Sequence, residues 1–280
     1  MTHSLDLIQE GARTLADAQV HRPEWTAEQL LAERLGCLPV DLYAIQPKIL
    51  EGERLLYRAD VAARAGGVPL QYLLGTADFY GRRFAVGPGV FNPRPETEIL
   101  VETVLELLRG QTPAGFCIAD VGTGSGAIAV TLAKERPGLK VIAIEQSFVA
   151  MHFALRNAAT YGCEIRFVHG NLLEGLGLES LDAIVANPPY LNPAQAASWP
   201  RELAWEPWLA LDGGQKGIEI TAKLIRQAVR VLKPSGWLAL EIGMDQAGDV
   251  RKLAEQNGFR VDRIIQDLAG SDRVAVLWKS

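Results

Sequence analysis

The run Asn187-Pro188-Pro189-Tyr190 joins a carboxamide, two rigid residues and an aromatic ring, directly after a short apolar stretch, Ala183 to Ala186, that reads as a buried strand. A carboxamide at the carboxyl end of such a strand lies where α/β sheets bind their ligands. The chemistry this grouping suits is transfer to an amide nitrogen. That nitrogen is a poor nucleophile because its lone pair is shared with the carbonyl, a resonance reflected in the ~18–20 kcal/mol barrier to peptide-bond rotation. If the Asn187 side-chain oxygen and the Pro188 carbonyl accept its two N–H bonds, the nitrogen is held with its lone pair aimed at an electrophile. Positioning of this kind supplies up to about 7–11 kcal/mol, so no general base is required before transfer. The prolines stiffen the loop and Tyr190 offers a wall for a planar amide. A packing turn of the same composition would explain the prolines but not their place.

A second grouping, Asp120-Val121-Gly122-Thr123-Gly124-Ser125-Gly126, follows a predicted strand and opens a predicted helix. Its glycines allow a tight turn and close backbone approach to a nucleotide-type cofactor. The spacing is not the G-x-G-x-x-G of dinucleotide binders, and no Lys-Ser/Thr follows as in a phosphate-gripping loop. An adenosyl group without a pyrophosphate matches better. Glu145, about twenty residues beyond the glycines and at the end of the second predicted strand, is placed to accept hydrogen bonds from ribose hydroxyls.

Other chemistry finds little support. His3, His21, His152 and His169 are scattered, Cys37, Cys117 and Cys163 form no C-x-x-C pair, and no metal site is expected. There is no Gly-x-Ser-x-Gly elbow of a hydrolase. Gly213-Gly214-Gln215 reads as a turn before a helix.

The elements that must position these residues follow from periodicity. From Ser4 to about Leu74 apolar residues recur at helical spacing, as in Leu5, Ile8, Ala12, Leu15 and Leu30, Leu31, Leu35, which predicts a small helical bundle over residues 1–76. Thr26-Ala27-Glu28-Gln29 suits a capping box, Gly36 and Pro39 a helix end. Residues 77–93 read as a hairpin and linker, with Gly81-Arg82-Arg83 between Phe79-Tyr80 and Phe84-Ala85-Val86. Residues 94–280 alternate short apolar runs (Cys117 to Val121, Val141 to Glu145, Ile165 to Val168, Ala183 to Ala186, Trp237 to Ile242) with helical stretches (Ala127 to Arg136, Phe148 to Thr160, Ile218 to Leu232). This predicts an α/β fold, a mostly parallel sheet wrapped by helices. Arg260 to Gln266 and Arg273 to Lys279 are too close for a helical crossover, so the last strand should be antiparallel.

A chain of 280 residues with 48% apolar composition can bury one large core and a small second domain. Its net charge of −5, with no Lys/Arg block, gives no footprint for a stable nucleic-acid complex. No apolar run approaches the ~20 residues of a membrane span, and the cysteines suit a reducing compartment. These features predict a cytoplasmic protein.

Asp120 to Gly126, Glu145 and Asn187 to Tyr190 together resemble a class I, Rossmann-like methyltransferase dependent on S-adenosyl-L-methionine, of the branch acting on amide or exocyclic nitrogens. Pro69-Leu70-Gln71-Tyr72-Leu73-Leu74-Gly75, Phe79-Tyr80-Gly81, Pro93-Arg94-Pro95-Glu96-Thr97-Glu98 and the run from Glu206-Pro207 to Gly214 are similar to the release factor glutamine methyltransferases, so the resemblance spans both predicted domains. It implies methylation of the glutamine in the Gly-Gly-Gln loop of class 1 peptide chain release factors, with S-adenosyl-L-homocysteine as product and the helical domain docking the substrate. A monomer is expected, and charge and composition predict no membrane and no stable nucleic acid as partner. By the same resemblance Gly122, Thr123, Gly124, Ser125, Gly126, Glu145, Asn171, Leu172 and Asn187 hold the cofactor, and Asn187, Pro188, Pro189 and Tyr190 surround the target amide, with Asn187, Pro188 and Tyr190 as the catalytic set. Asn171 stands where many relatives carry an acid and Leu172 where some carry tryptophan; the Asn171 carbonyl still accepts from an adenine amino group, as a weaker neutral partner. Arg94, Glu96 and Glu98 either close over the ligands or brace the linker. Competing readings are glutamine methylation of a ribosomal protein, adenine-N6 methylation of nucleic acid, which needs basic and aromatic surface to flip a base, and a cofactor binder without catalysis.

Overall fold

The computed structural model describes residues 3–110 and 115–280; Met1 and Thr2, where the expected helical domain begins, and residues 111–114 lie outside the described residues. The chain divides into two compact units, Met1–Ala77 with Pro200–Trp205, and Asp78–Trp199 with Glu206–Ser280.

The first unit holds helices α1 (Ser4–Asp17), α2 (Pro23–Leu35), α3 (Asp41–Ala44), α4 (Glu51–Ala65) and α5 (Leu70–Leu74). Leu7, Ile8 and Leu15 of α1 pack with Leu30 and Leu31 of α2 and Tyr57 and Val61 of α4. Each such side chain contributes roughly 1.5–3 kcal/mol on burial, which lets short helices stand. The expected capping box at Thr26 is not formed. α2 starts a turn earlier at Pro23, whose fixed φ and missing N–H suit a first helical position, and Thr26 is buried inside the helix. The segment Pro200–Trp205 joins this unit through an ion pair between Arg64 and Glu202, Arg64 also donating to the Val68 carbonyl at 3.0 Å.

Strands β1 (Thr76–Phe79) and β2 (Arg82–Ala85) form a two-stranded hairpin. Its turn is Tyr80–Gly81, both at positive φ, rather than the expected Gly81–Arg83. Two such residues make the tight connection whose twist matches the strands, which leaves Arg82 and Arg83 in β2.

The second unit is built on a seven-stranded sheet of β3 (Cys117–Val121), β4 (Lys140–Glu145), β5 (Ile165–His169), β6 (Leu181–Ala186), β7 (Leu232–Glu241), β8 (Phe259–Gln266) and β9 (Asp272–Lys279), in the order β5-β4-β3-β6-β7-β9-β8. β3 through β7 pair in parallel, and β9 runs antiparallel to both β7 and β8, as the short final connection requires. Alternate residues feed two cores. Ile118, Ala183, Val185 and Trp237 face the side of α6 (Pro95–Leu107), α7 (Ala127–Glu135) and α8 (Phe148–Thr160). Ala119, Ile184, Leu238 and Leu240 face α9 (Glu219–Val231) and α10 (Ala247–Gln256). Burial on both faces is why these strands read as continuous apolar runs.

From β3 the chain winds outward through β4 and β5, then crosses back to place β6 on the other flank of β3. That reversal opens a crevice at the carboxyl ends of β3 and β6. Among the described residues no helix is long and apolar enough to cross a membrane.

Candidate active site

Val121 lies opposite Ile144 on one side and Ala186 on the other. Gly122, Glu145 and Asn187 therefore leave the sheet side by side, about 5 Å apart from strand to strand. Glu145 pairs with His169, so Asn171 and Leu172 emerge next along the same edge. Ala186 also pairs with Leu240, which sets Glu241 beside Asn187. The residues read from the sequence thus share one edge formed by four adjacent strands.

The glycine loop is held by its own backbone and by two buried side chains. Gly122 and Thr123 donate to the Ile144 carbonyl at 2.9 and 3.0 Å. Asp120 Oδ2 accepts from Thr123 Oγ1 at 2.6 Å and from the Ala129 N–H at 3.0 Å, and Asn157 of α8 donates to the Ser125 carbonyl at 2.8 Å. Gly122 has φ +73°, and a Cβ there would meet nothing within 4 Å, so its backbone is open to an approaching ligand.

Glu145 is 8% exposed and fixed by three backbone donors: Gly124 to Oε2, Gln146 and Ser147 to Oε1, each at 2.8 Å. An ionised carboxylate offers about four acceptor positions, so Oε2 retains the capacity for a ligand hydroxyl. Asn171 Nδ2 donates weakly to Glu174 at 3.4 Å, which leaves its Oδ1 to accept. Leu172 adopts φ +55° and packs partly buried against the sheet. An acceptor-rich edge with one unobstructed glycine backbone fits an adenosyl cofactor carrying a cationic sulfur.

The Asn187 loop is the most tightly specified part. Asn187 Nδ2 donates to Thr97 Oγ1 of α6 at 3.0 Å, and Thr97 donates to Glu241 Oε2 at 2.7 Å. Among the described residues neither Asn187 Oδ1 nor the Pro188 carbonyl accepts a hydrogen bond from the protein. Tyr190 donates its hydroxyl to Glu241 Oε1 at 3.3 Å. Gln246 Nε2 donates to the Tyr190 and Gly217 carbonyls at 3.1 and 2.8 Å, and Leu191 exchanges backbone bonds with Leu211 and Gly213. Gly213-Gly214-Gln215 is thus part of a turn that supports the loop from below.

Thr97, Gln246, Gly217 and Glu241 were not assigned roles by the sequence reading. Glu241 carried a local signal, a charge within the apolar run Trp237 to Ile242, and Thr97 lies within the segment Pro93 to Glu98. Phe148 and His169, stacked at 3.8 Å beside Glu145, were likewise unassigned. Arg94 pairs with the buried Glu206 and lies over Phe91, while Glu98 accepts from the Tyr80 N–H at 2.8 Å, so both residues tie the start of α6 to neighbouring segments.

Gly217 has φ +73°, and a Cβ there would lie 2.5 Å from the Tyr190 carbonyl oxygen. Gly217→Ala is expected to destabilise the fold by about 1–3 kcal/mol and to lower turnover, measured by thermal unfolding and by initial rates.

Burial pushes Asp120 and Glu241 up to about 7, against the hydrogen bonds from Thr123 and Ala129 at the former and from Thr97 at the latter. Burial, and then the charge of Glu241, raises the Tyr190 phenol above its usual range, so it remains a hydrogen-bond donor. For an acid raised on folding, the folded chain holds more protons than the unfolded one between the unfolded value, 3.8 for Asp120 and 4.5 for Glu241, and about 7. These two groups therefore favour folding below that window and lose that contribution as pH rises through about 7. Glu241→Gln should gain stability relative to the parent as pH rises from 5 to 8, read as a widening difference in melting temperature.

The description Methyltransferase small domain matches residues 83–201, and PrmC N-terminal domain matches residues 6–75. The release factor glutamine methyltransferase of Geobacter sulfurreducens is 40% identical over 262 residues, covering 93% of this chain and 91% of that protein. The one from Neisseria gonorrhoeae is 41% identical over 228 residues, covering 80% and 82%. Among solved structures, a methyltransferase from Pyrococcus furiosus shares the fold, at 18% identity and a TM-score of 0.53 over 82% of this chain and 98% of that one. So does a ribosomal protein L11 methylase from Lactobacillus delbrueckii subsp. bulgaricus, at 24% identity and a TM-score of 0.52 over 70% and 84%. With this extent of likeness over both units, and a carboxamide loop beside an adenosyl-type crevice, the chain belongs to the release factor glutamine methyltransferase family.

Proposed function

We propose that this chain transfers a methyl group from S-adenosyl-L-methionine to the side-chain amide nitrogen of the glutamine in the Gly-Gly-Gln motif of class 1 peptide chain release factors, giving N5-methylglutamine and S-adenosyl-L-homocysteine. The observation that carries the reading is the Asn187 amide, turned so that its nitrogen is occupied by Thr97 and its oxygen is left to accept. When bound, the cofactor supplies an electrophilic methyl on a cationic sulfur. Glu145 Oε2 accepts from the ribose, the Gly122 to Gly126 backbone lines the adenosyl moiety, and Asn171 Oδ1 and Leu172 face the adenine. Asn187 Oδ1 and the Pro188 carbonyl accept the two N–H bonds of the entering glutamine and so orient its nitrogen before it loses a proton; the nitrogen–methyl bond forms as the sulfur–methyl bond breaks, and one N–H proton leaves after transfer to give the neutral secondary amide. Pro189 stiffens the turn, and the Tyr190 ring, tethered through its hydroxyl, walls the planar amide.

The reading carries with it a cytoplasmic monomer that meets its protein substrate transiently and holds no nucleic acid, in keeping with the net charge of −5. The test offers labelled S-adenosyl-L-methionine to a class 1 release factor, to the same factor with its loop glutamine replaced, to ribosomal protein and to DNA. Label is expected on the unaltered factor alone. Label that survives glutamine replacement, or that appears on ribosomal protein or DNA instead, defeats the assignment.

A further inference from the structure

A carboxamide presents an acceptor and a donor that differ little in shape, so a loop that needs the acceptor outward must hold the group against rotation. At Asn187 nothing in its own loop does this; the restraint comes from another element. Asn187 Nδ2 donates to Thr97 Oγ1 at 3.0 Å, and the Thr97 hydroxyl donates onward to Glu241 Oε2 at 2.7 Å. The direction of this chain is set at its far end. A carboxylate only accepts, so it obliges Thr97 to spend its single proton on Glu241 and to receive Asn187 through a lone pair. With that proton committed, Thr97 cannot donate to Asn187 Oδ1, and the flipped amide would place an oxygen against an oxygen. Thr97 is 4% exposed and Glu241 1% exposed, so water does not substitute for either partner.

We propose that Glu241 and Thr97 are positioning residues for methyl transfer: the buried carboxylate, acting through the threonine hydroxyl, fixes the Asn187 side chain with its oxygen toward the target amide. Glu241 holds a second part of the same site, since its other oxygen accepts from the Tyr190 hydroxyl at 3.3 Å. One carboxylate thus orients both the acceptor and the aromatic wall. Burial raises the Glu241 carboxyl, which makes the arrangement pH-dependent, because protonated Glu241 gains a donor and no longer dictates the polarity of the chain. The charges that face it are Arg273 of β9, which favours the ionised form, and Glu96 of α6, which opposes it.

This inference rests on the glutamine-methyltransferase reading, and the experiment separates the two. Thr97→Val keeps the shape and removes the hydroxyl; Thr97→Ser keeps the hydroxyl and removes the methyl group. Full-length parent, both variants and Glu241→Gln are compared for kcat and KM with a release factor, for S-adenosyl-L-methionine affinity, for melting temperature and for the pH profile of kcat. Thr97→Val is expected to lose about tenfold in kcat, the scale of one oriented hydrogen bond, with KM and cofactor affinity within about twofold of the parent. Thr97→Ser should recover most of the loss. In the parent kcat should rise with pH through a group titrating near 7, and Glu241→Gln should be lower and lack that step. A Thr97→Val enzyme with the parent's kcat overturns the proposal, and so does a Thr97→Ser enzyme as impaired as Thr97→Val, which would mark the methyl group and its packing as the requirement. A parent that leaves the factor's glutamine unmethylated overturns the functional reading and the relay together.

Discussion

Asn187→Ala is expected to lower kcat by about 10²- to 10³-fold, the range for removing one preorganised hydrogen-bonding group aimed at a reacting atom, while S-adenosyl-L-methionine affinity stays within a few-fold. The asymmetry follows from what the side chain touches. Asn187 follows the end of β6, its nitrogen is held by Thr97, and its free oxygen is the group proposed to orient the target amide. Removing it leaves the glycine loop and Glu145 in place, because their hydrogen bonds run to Ile144, Asp120, Asn157 and the backbone of 124, 146 and 147. Single-turnover rates at saturating cofactor, beside equilibrium binding of the cofactor, separate the two quantities. A loss of cofactor affinity equal to the loss of turnover would contradict the division of roles.

Glu145→Ala is expected to do the reverse. The carboxylate gathers three backbone N–H groups at 2.8 Å and keeps one oxygen with spare capacity toward the crevice. In the proposed role the cofactor then lacks an acceptor, and the turns at Gly124 and at Gln146–Ser147 lose their common anchor. Hydrogen bonds to a charged group are worth roughly 1.5–3 kcal/mol, which corresponds to a ten- to hundred-fold weaker cofactor Kd. At saturating cofactor, kcat should remain within a few-fold of the parent. Calorimetric binding and a cofactor titration of the rate measure this directly.

The residues that were legible in the sequence are those whose setting is local. Ala183 to Ala186 followed by Asn-Pro-Pro-Tyr reveals both a buried strand and the loop at its carboxyl end, since strand burial and proline stiffness act over a few residues. The same holds for Val141 to Glu145 and for the glycines after Val121. The support beneath the loop is not local. Thr97 and Glu241 are 144 positions apart, and Tyr190 and Gln246 are 56 apart. Neither pair alters the periodicity of its own helix or strand. Arg94 illustrates the same limit, because its partner, the buried Glu206, lies 112 positions on. The stretch from Pro193 to Ala210 contains three 3₁₀ turns that no apolar repeat announces. Thr26 was misread because a capping signal and a mid-helix threonine look alike until Pro23 is seen to start the helix.

In the proposed reaction a carboxamide oxygen, preset by its surroundings, pins the target nitrogen. A crystal structure of the protein with S-adenosyl-L-homocysteine and a release factor carrying its Gly-Gly-Gln loop tests it most directly. The glutamine amide nitrogen is expected within hydrogen-bond reach of Asn187 Oδ1 and the Pro188 carbonyl, about 2.7–3.2 Å, facing the sulfur, with Asn187 Nδ2 still on Thr97. A glutamine bound with its nitrogen away from Asn187, or an Asn187 amide rotated to present its nitrogen, would contradict it.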